Sequence, residues 1–185
     1  MPYSALGLRG KADCDRMTGG QMESSMRLYI GILAVVAMMG TARAEFYANA
    51  RYGYYIDVPK IFSVADPESD SGDGRLFHTA DKSAEVAVWG GWVNEGAFAD
   101  EVKTRQNDEV GDGWKMAYVS KQSPTVSNFS GTKDGLIVYV HIISRCSGTG
   151  YAMYRMQYPA ADKAKYDSAI GQLNASLKKE KGSCS

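Results

Sequence analysis

Apolar and polar side chains alternate along much of the second half of the chain, a pattern typical of strands with one buried face. The two clearest runs are Leu136–Ser144 and Tyr151–Tyr158. Asp134 and Gly135 precede the first run, and Asp-Gly is a strong hairpin signal, so a partner strand is predicted at Val126–Thr132. Aromatic and β-branched residues or alternation predict earlier strands at Tyr52–Val58, Arg75–Thr79, Glu85–Trp89 and Trp114–Lys121.

Two stretches carry a helical pattern instead. The stronger is Asp162–Lys178, where apolar residues recur every three or four positions and so share one helix face. These residues are Tyr166, Ile170, Leu173 and Leu177. Ala97–Val110 is a weaker candidate, because only Phe98 and Val102 form an apolar pair one turn apart. Turn-forming residues fill Asp66–Gly74, which we interpret as a polar loop.

The order of these elements predicts the fold class. Short turns between the late strands require antiparallel pairing. The two helices are the available cover for one face of the resulting sheet. The sequence therefore predicts an α+β fold, an antiparallel sheet of about six to seven strands packed by two helices. No internal repeat or linker divides residues 45–185, which we interpret as a single domain.

The N-terminal residues predict export. Arg27 precedes an uncharged apolar run over residues 28–40, and small residues occupy the −3 and −1 positions of a cleavage after Ala44. The run is shorter than the ~20 residues of a membrane-spanning helix, which favours a signal peptide at 26–44 over a retained anchor. We therefore expect a periplasmic or secreted protein with no stable membrane anchor after cleavage. Residues 1–25 precede this signal peptide and are interpreted as a misassigned start or part of an expression tag.

Composition excludes two other classes of protein. The chain is 44% hydrophobic and has 21 basic against 21 acidic side chains, so it is not disordered by composition. No basic excess is available to neutralise phosphates, and we therefore expect no nucleic-acid partner.

Two of the three cysteines remain after the predicted cleavage. The predicted strands run out and back, and the last helix then returns, which places its carboxyl end beside Cys146. Cys184 lies on the short tail that follows, so a Cys146–Cys184 disulfide is within reach and would add at most about 4 kcal/mol of stability in the chain-entropy model. The alternatives are a free or intermolecularly paired Cys184 and a buried, unpaired Cys146.

The residues that could support catalysis form no recognisable set. His78 and His141 stand alone, with no H-E-x-x-H, CxxC or G-x-S-x-G motif in the sequence. Strand alternation places His141 on the face of Tyr139 and Ile143, as a structural or surface histidine. We predict no catalytic residues and no cofactor, although a hydrolase with a site outside known motifs stays open.

Four acidic residues of the polar loop are weak candidates for a metal site. They are Asp66, Glu68, Asp70 and Asp73. The EF-hand pattern fails, because Ser71 and Phe77 replace its required glycine and bidentate glutamate. A looser calcium site is one interpretation of the cluster, and a solvated loop is the other.

Aromatic residues are the candidates for a partner surface. Tyrosines crowd the first predicted strand, and Trp89 and Trp92 lie near the end of another. Most aromatic residues of this kind belong to a core, but Tyr and Trp are also enriched at binding hot spots. We select Trp92, Trp89 and Tyr54, with Trp92 after Gly90 and Gly91 as the best candidate for an exposed tip.

Several segments together resemble a known group of proteins. They are RYGYYIDVP, SGDGRLF, the strand ending in Trp89 and Gly90, and MQYPAADKAKYDSAIGQLNASL near the end of the chain. These segments resemble small bacterial exported proteins of unknown function with a PsbP-like α/β/α sandwich fold. The resemblance implies a binding or accessory role more than catalysis, and it carries over no catalytic set.

The sequence thus favours an exported accessory domain that contacts a protein or another component of the cell envelope. A protein that binds calcium or a small ligand through the acidic 66–74 loop is the alternative.

Overall fold

The computed structural model describes residues 44–94, 96–121 and 123–180. The secondary-structure elements in chain order are β1 (Glu45–Asn49), β2 (Tyr54–Val58), β3 (Val64–Glu68), β4 (Gly74–His78), β5 (Glu85–Trp92), α1 (Phe98–Gly111), β6 (Lys115–Val119), β7 (Val126–Lys133), β8 (Leu136–Arg145), β9 (Gly150–Pro159), α2 (Lys163–Ser176) and β10 (Lys178–Lys179).

Seven strands form one antiparallel sheet in the order β3-β4-β5-β9-β8-β7-β6. A smaller sheet has the order β1-β2-β10. The hairpin β7–β8 turns at Asp134 and Gly135, which both have positive φ angles, as the Asp-Gly signal predicts. The predicted α+β class with a seven-stranded antiparallel sheet and two helices is confirmed.

The two faces of the large sheet each pack against a separate apolar cluster. On one face, α2 and the small sheet enclose a cluster that includes Ile56, Tyr154 and Leu173. On the other face, α1 covers a cluster that includes Phe98 and Met153. The expectation that both helices cover one face is therefore wrong. Both faces of β9 carry apolar side chains, so each face needs its own cover.

Three short strands were not predicted from the pattern. The predicted loop Asp66–Gly74 is partly strand, because β3 extends to Glu68 at the sheet edge, where Pro67 is tolerated. β1 pairs with β2, and β10 pairs with the other side of β2. The predicted helix ends at Ser176 rather than Lys178, because the buried Leu177 adopts an extended backbone that leads into β10.

Candidate partner-binding surface

Trp92 lies at the end of β5 and is 44% exposed. Its ring packs against Tyr52, with 5.8 Å between the ring centroids. The guanidinium of Arg51 lies 5.2 Å from the centroid of the Tyr52 ring. We call these three residues the aromatic surface. It combines a large apolar ring with a cation held over a neighbouring ring, a composition typical of protein-binding hot spots.

Tyr54 is buried in the core next to this surface and does not form part of it. Its side chain is 1% exposed, so the prediction that it lines a partner surface is wrong. The Tyr54 hydroxyl donates a hydrogen bond to the carbonyl of Asp73 at 2.9 Å. Burial raises the pKa of Tyr54 far above its usual range, which keeps this hydroxyl a donor. A Cβ on Gly90 would lie 2.6 Å from Cβ of Tyr52 and 2.9 Å from Cε1 of Tyr54, so this strand position must be glycine.

The turn over residues 69–73 lies beside the aromatic surface. Arg51 donates to the carbonyl of Ser71, and Asn49 Nδ2 donates to the carbonyl of Gly72 at 3.0 Å. Within the turn, the Asp73 carboxylate accepts hydrogen bonds from the hydroxyls of Ser69 and Ser71. Burial alone would raise the pKa of Asp73, but these hydroxyls hold it below its usual value.

The four acidic candidates do not converge. The Asp66 carboxylate lies 3.0 Å from Nε2 of His78, whereas that of Asp73 faces the hydroxyls of its own turn. Glu68 belongs to β3, and Asp70 lies in the exposed turn that follows. In the part of the chain that the structure describes, no group of three or more His, Cys, Asp or Glu side chains is placed to hold a metal ion.

Trp89 lies on the opposite face of the sheet from Trp92. Successive side chains of a strand alternate between faces, and Trp89 packs with the cluster under α1, whereas the Trp92 partner Tyr52 belongs to the other cluster. Trp89 lines a groove of about 420 Å³ together with Asp66 and Asp73. The two tryptophans therefore belong to different sites. Because they are three positions apart on one strand, their opposite orientations were predictable from the sequence.

His78 and His141 occupy two unrelated polar networks. Nε2 of His78 faces Asp66, and its Nδ1 lies 4.0 Å from Glu85. His141 shares the face of Tyr139 as predicted, stacks on Tyr154 and pairs with Oδ1 of Asn128 at 2.5 Å. Burial, and then the charge of Lys178, lowers the pKa of His141 to about 4. Within the described ranges, neither histidine is hydrogen-bonded to a hydroxyl or a thiol that it could activate.

Cys146 directly follows β8, which ends at Arg145. The charge of Glu180 acts on Arg145, the neighbour of Cys146, although burial lowers the pKa of Arg145 overall. This proximity agrees with the predicted return of the last helix toward Cys146. Cys184 lies outside the described residues, so its pairing with Cys146 stays a prediction.

The predicted extension and signal peptide also lie outside the described residues, apart from Ala44. Neither helix of the described ranges is long and apolar enough to span a bilayer.

No family model matches the sequence, and no curated protein sequence matches it. Solved structures do match the fold. The cyanobacterial PsbP (CyanoP) of Synechocystis sp. PCC 6803 is 11% identical, with a TM-score of 0.56 over 77% of this chain and 95% of that one. The Ran-binding protein Mog1p of Saccharomyces cerevisiae is 8% identical, with a TM-score of 0.53 over 75% of this chain and 96% of that one. The chain therefore has a PsbP/Mog1-like fold, and identities this low carry over no function.

Sequence reasoning missed Arg51 and the supporting role of Tyr52. The available signal was their position directly before Gly53, which has a positive φ angle in the turn between β1 and β2. A tight turn of this kind brings its flanking side chains to the end of the sheet. Only the folded structure shows that Trp92, at the end of β5, lies at the same end of the sheet as this turn.

Proposed function

We propose that this protein is an exported accessory domain that binds a protein or another component of the cell envelope through its aromatic surface. The observation that carries the proposal is the exposure of Trp92 on a rigid support. Tyr52 packs beneath its ring, and the turn over residues 69–73 is tied to Arg51 beside it. An exposed tryptophan held in one orientation loses little conformational entropy on binding.

One comparison supports the proposal. The matching fold includes Mog1p, which is described as a Ran-binding protein. Protein binding is thus one use of this architecture elsewhere, although fold analogy by itself does not select a partner.

Photo-crosslinking in native cells tests the proposal. A photoreactive residue at Trp92 should capture one envelope component in stoichiometric amounts. The same residue at Val110, which is 53% exposed on α1, is the matched control and should not capture it. Trp92→Ala should weaken binding of the captured component by more than tenfold, as expected of a hot spot. Equal capture from both positions, or none from Trp92, would contradict the proposal.

The groove beside Trp89 favours a second candidate function, binding of a small polar ligand. Asp66, Asp73 and Arg75 line this groove of about 420 Å³ together with Trp89. The volume is in the range typical of small-molecule sites. Calorimetric titration with small organic ions should show heat that Trp89→Ala abolishes and Trp92→Ala leaves unchanged. If no titrant gives heat, this candidate is eliminated.

A further inference from the structure

The strand β6 forms an open edge of the large sheet. It pairs with β7 on one side, and no described residue pairs with its other side. Its Tyr118 and Val119 are 54% and 50% exposed. The opposite edge strand, β3, contains Pro67, which lacks an N–H group and protects that edge. Within the described sheet, β6 is therefore the edge that offers hydrogen-bonding groups together with large apolar side chains.

The alternation of β6 points its side chains toward two different grooves. Val119 lies opposite Phe129 and lines a groove of about 220 Å³ under α1, which we call the α1 groove. Tyr118 lies opposite Ser130, on the other face. There, Ala117 and Ser130 line a groove of about 380 Å³ beneath α2, the α2 groove. The open edge is thus bordered by one groove on each face of the sheet.

This arrangement matches the requirements of an added strand. An extended peptide that pairs with a sheet edge gains affinity from main-chain hydrogen bonds, and its alternate side chains point to opposite faces. Val102 and Ala99 give the α1 groove an apolar wall. Tyr139, Tyr158 and Ile170 do the same for the α2 groove. Apolar side chains at alternate positions of the peptide would therefore enter one of the two grooves, and the side chains between them would enter the other.

The charges near the β6 edge indicate which residues should lie at the two ends of such a peptide. Lys115 begins β6, and Lys121 follows its end; both are exposed, and neither has an ion-pair partner among the described residues. The other lysines of the grooves are paired, Lys103 with Asp100 and Lys163 with Asp167. Two unpaired cations that bracket the strand complement a peptide with acidic residues at its ends.

We infer that β6 is a docking edge for an extended segment of another protein, with apolar residues at alternate positions and acidic residues at its ends. A bulge at Ala117, where the register with β7 shifts, limits the pairing to a short strand. The inference goes beyond the proposed function, since it gives the domain a second surface that binds an extended peptide. It does not depend on the aromatic surface, which lies at the end of β5.

A fluorescent peptide of alternating valine and threonine with two aspartates at each end tests the inference by anisotropy. The wild-type domain should bind this peptide at least tenfold more tightly than a version with lysine ends. Lys115→Glu combined with Lys121→Glu should reverse the preference. Trp92→Ala should leave the affinity unchanged, so failure here and failure of the proposed function are distinguishable.

Backbone methylation of the peptide makes the test independent of protein folding. N-methyl groups on the pairing edge of the peptide should abolish binding, whereas N-methyl groups on its other edge should not. NMR shifts on binding should cluster at residues 115–121. The inference is overturned if no binding occurs, if both methylated peptides bind equally, or if the shifts cluster at Trp92. Concentration-dependent dimers that form through Val119 would also overturn it, because the occupant would then be a second copy.

Discussion

At the residue scale, the most unusual group is His141. It is 6% exposed, and Asn128 pairs with its Nδ1. The network continues through the hydroxyl of Tyr139 to Asn174 and Tyr154. Because burial lowers the pKa of His141 to about 4, the folded protein holds this ring neutral at pH values where an unfolded chain, with a histidine pKa near 6.5, would already bind a proton.

This difference predicts a loss of stability in acid. As the pH falls from 6.5 toward 4, protonation favours the unfolded state, so the free energy of unfolding should drop by about 2–3 kcal/mol at pH 4.5 through this residue alone. Denaturant unfolding of the wild type and His141→Gln at pH 7 and pH 4.5 measures the contribution. The variant should lose less stability on acidification by that amount. If His141→Gln loses as much stability on acidification as the wild type, the assignment is wrong.

At the scale of the element, α1 shows why its sequence pattern was weak. Two of its buried positions are carboxylates, Glu101 and Glu109, instead of apolar residues. Glu101 pairs with Arg105 on the same helix at 2.6 Å, whereas Glu109 forms a bidentate ion pair with Arg155 of β9 at 2.6 and 3.1 Å. Because this inward face is anchored by ion pairs, it has little apolar periodicity, and the helical pattern in the sequence was limited to the Phe98–Val102 pair.

The Glu109–Arg155 pair should anchor α1 to the sheet. Glu109→Gln removes the charge with little change of shape and leaves Arg155 without its bidentate partner, so we expect a loss of about 2 kcal/mol of stability. Asp167→Asn is the control, because Asp167 pairs with Lys163 on an exposed helix surface, where such a pair contributes less than about 0.5 kcal/mol. Chemical denaturation compares the two, and equal losses would show that the buried pair anchors nothing.

At the scale of the whole molecule, two predictions concern the ends of the chain: the cleavage after Ala44 and the disulfide between Cys146 and Cys184. The protein from the periplasmic fraction should begin at Glu45, and its intact mass under non-reducing conditions should include one disulfide. Cys146→Ser and Cys184→Ser should each lower the free energy of unfolding by the same amount, at most about 4 kcal/mol. Reductant should destabilise the wild type to that level and leave the variants unchanged.

Another first residue would contradict the predicted cleavage. Alkylation of both cysteines in the native protein would contradict the disulfide. The two results are independent, because a chain that begins at Glu45 contains both cysteines whether or not they are paired.

The sequence by itself determined the late strands, the Asp-Gly hairpin and the position of both helices, because these depend on local alternation and turn chemistry. It also determined the fold class, since short turns leave antiparallel pairing as the only choice. Only the tertiary structure decided which sheet face each helix covers and that β1, β3 and β10 are strands. It likewise decided that Tyr54 is buried while Trp92 is exposed. At these positions, burial and strand pairing depend on residues that are distant in the chain. Local sequence patterns carry no information about those residues.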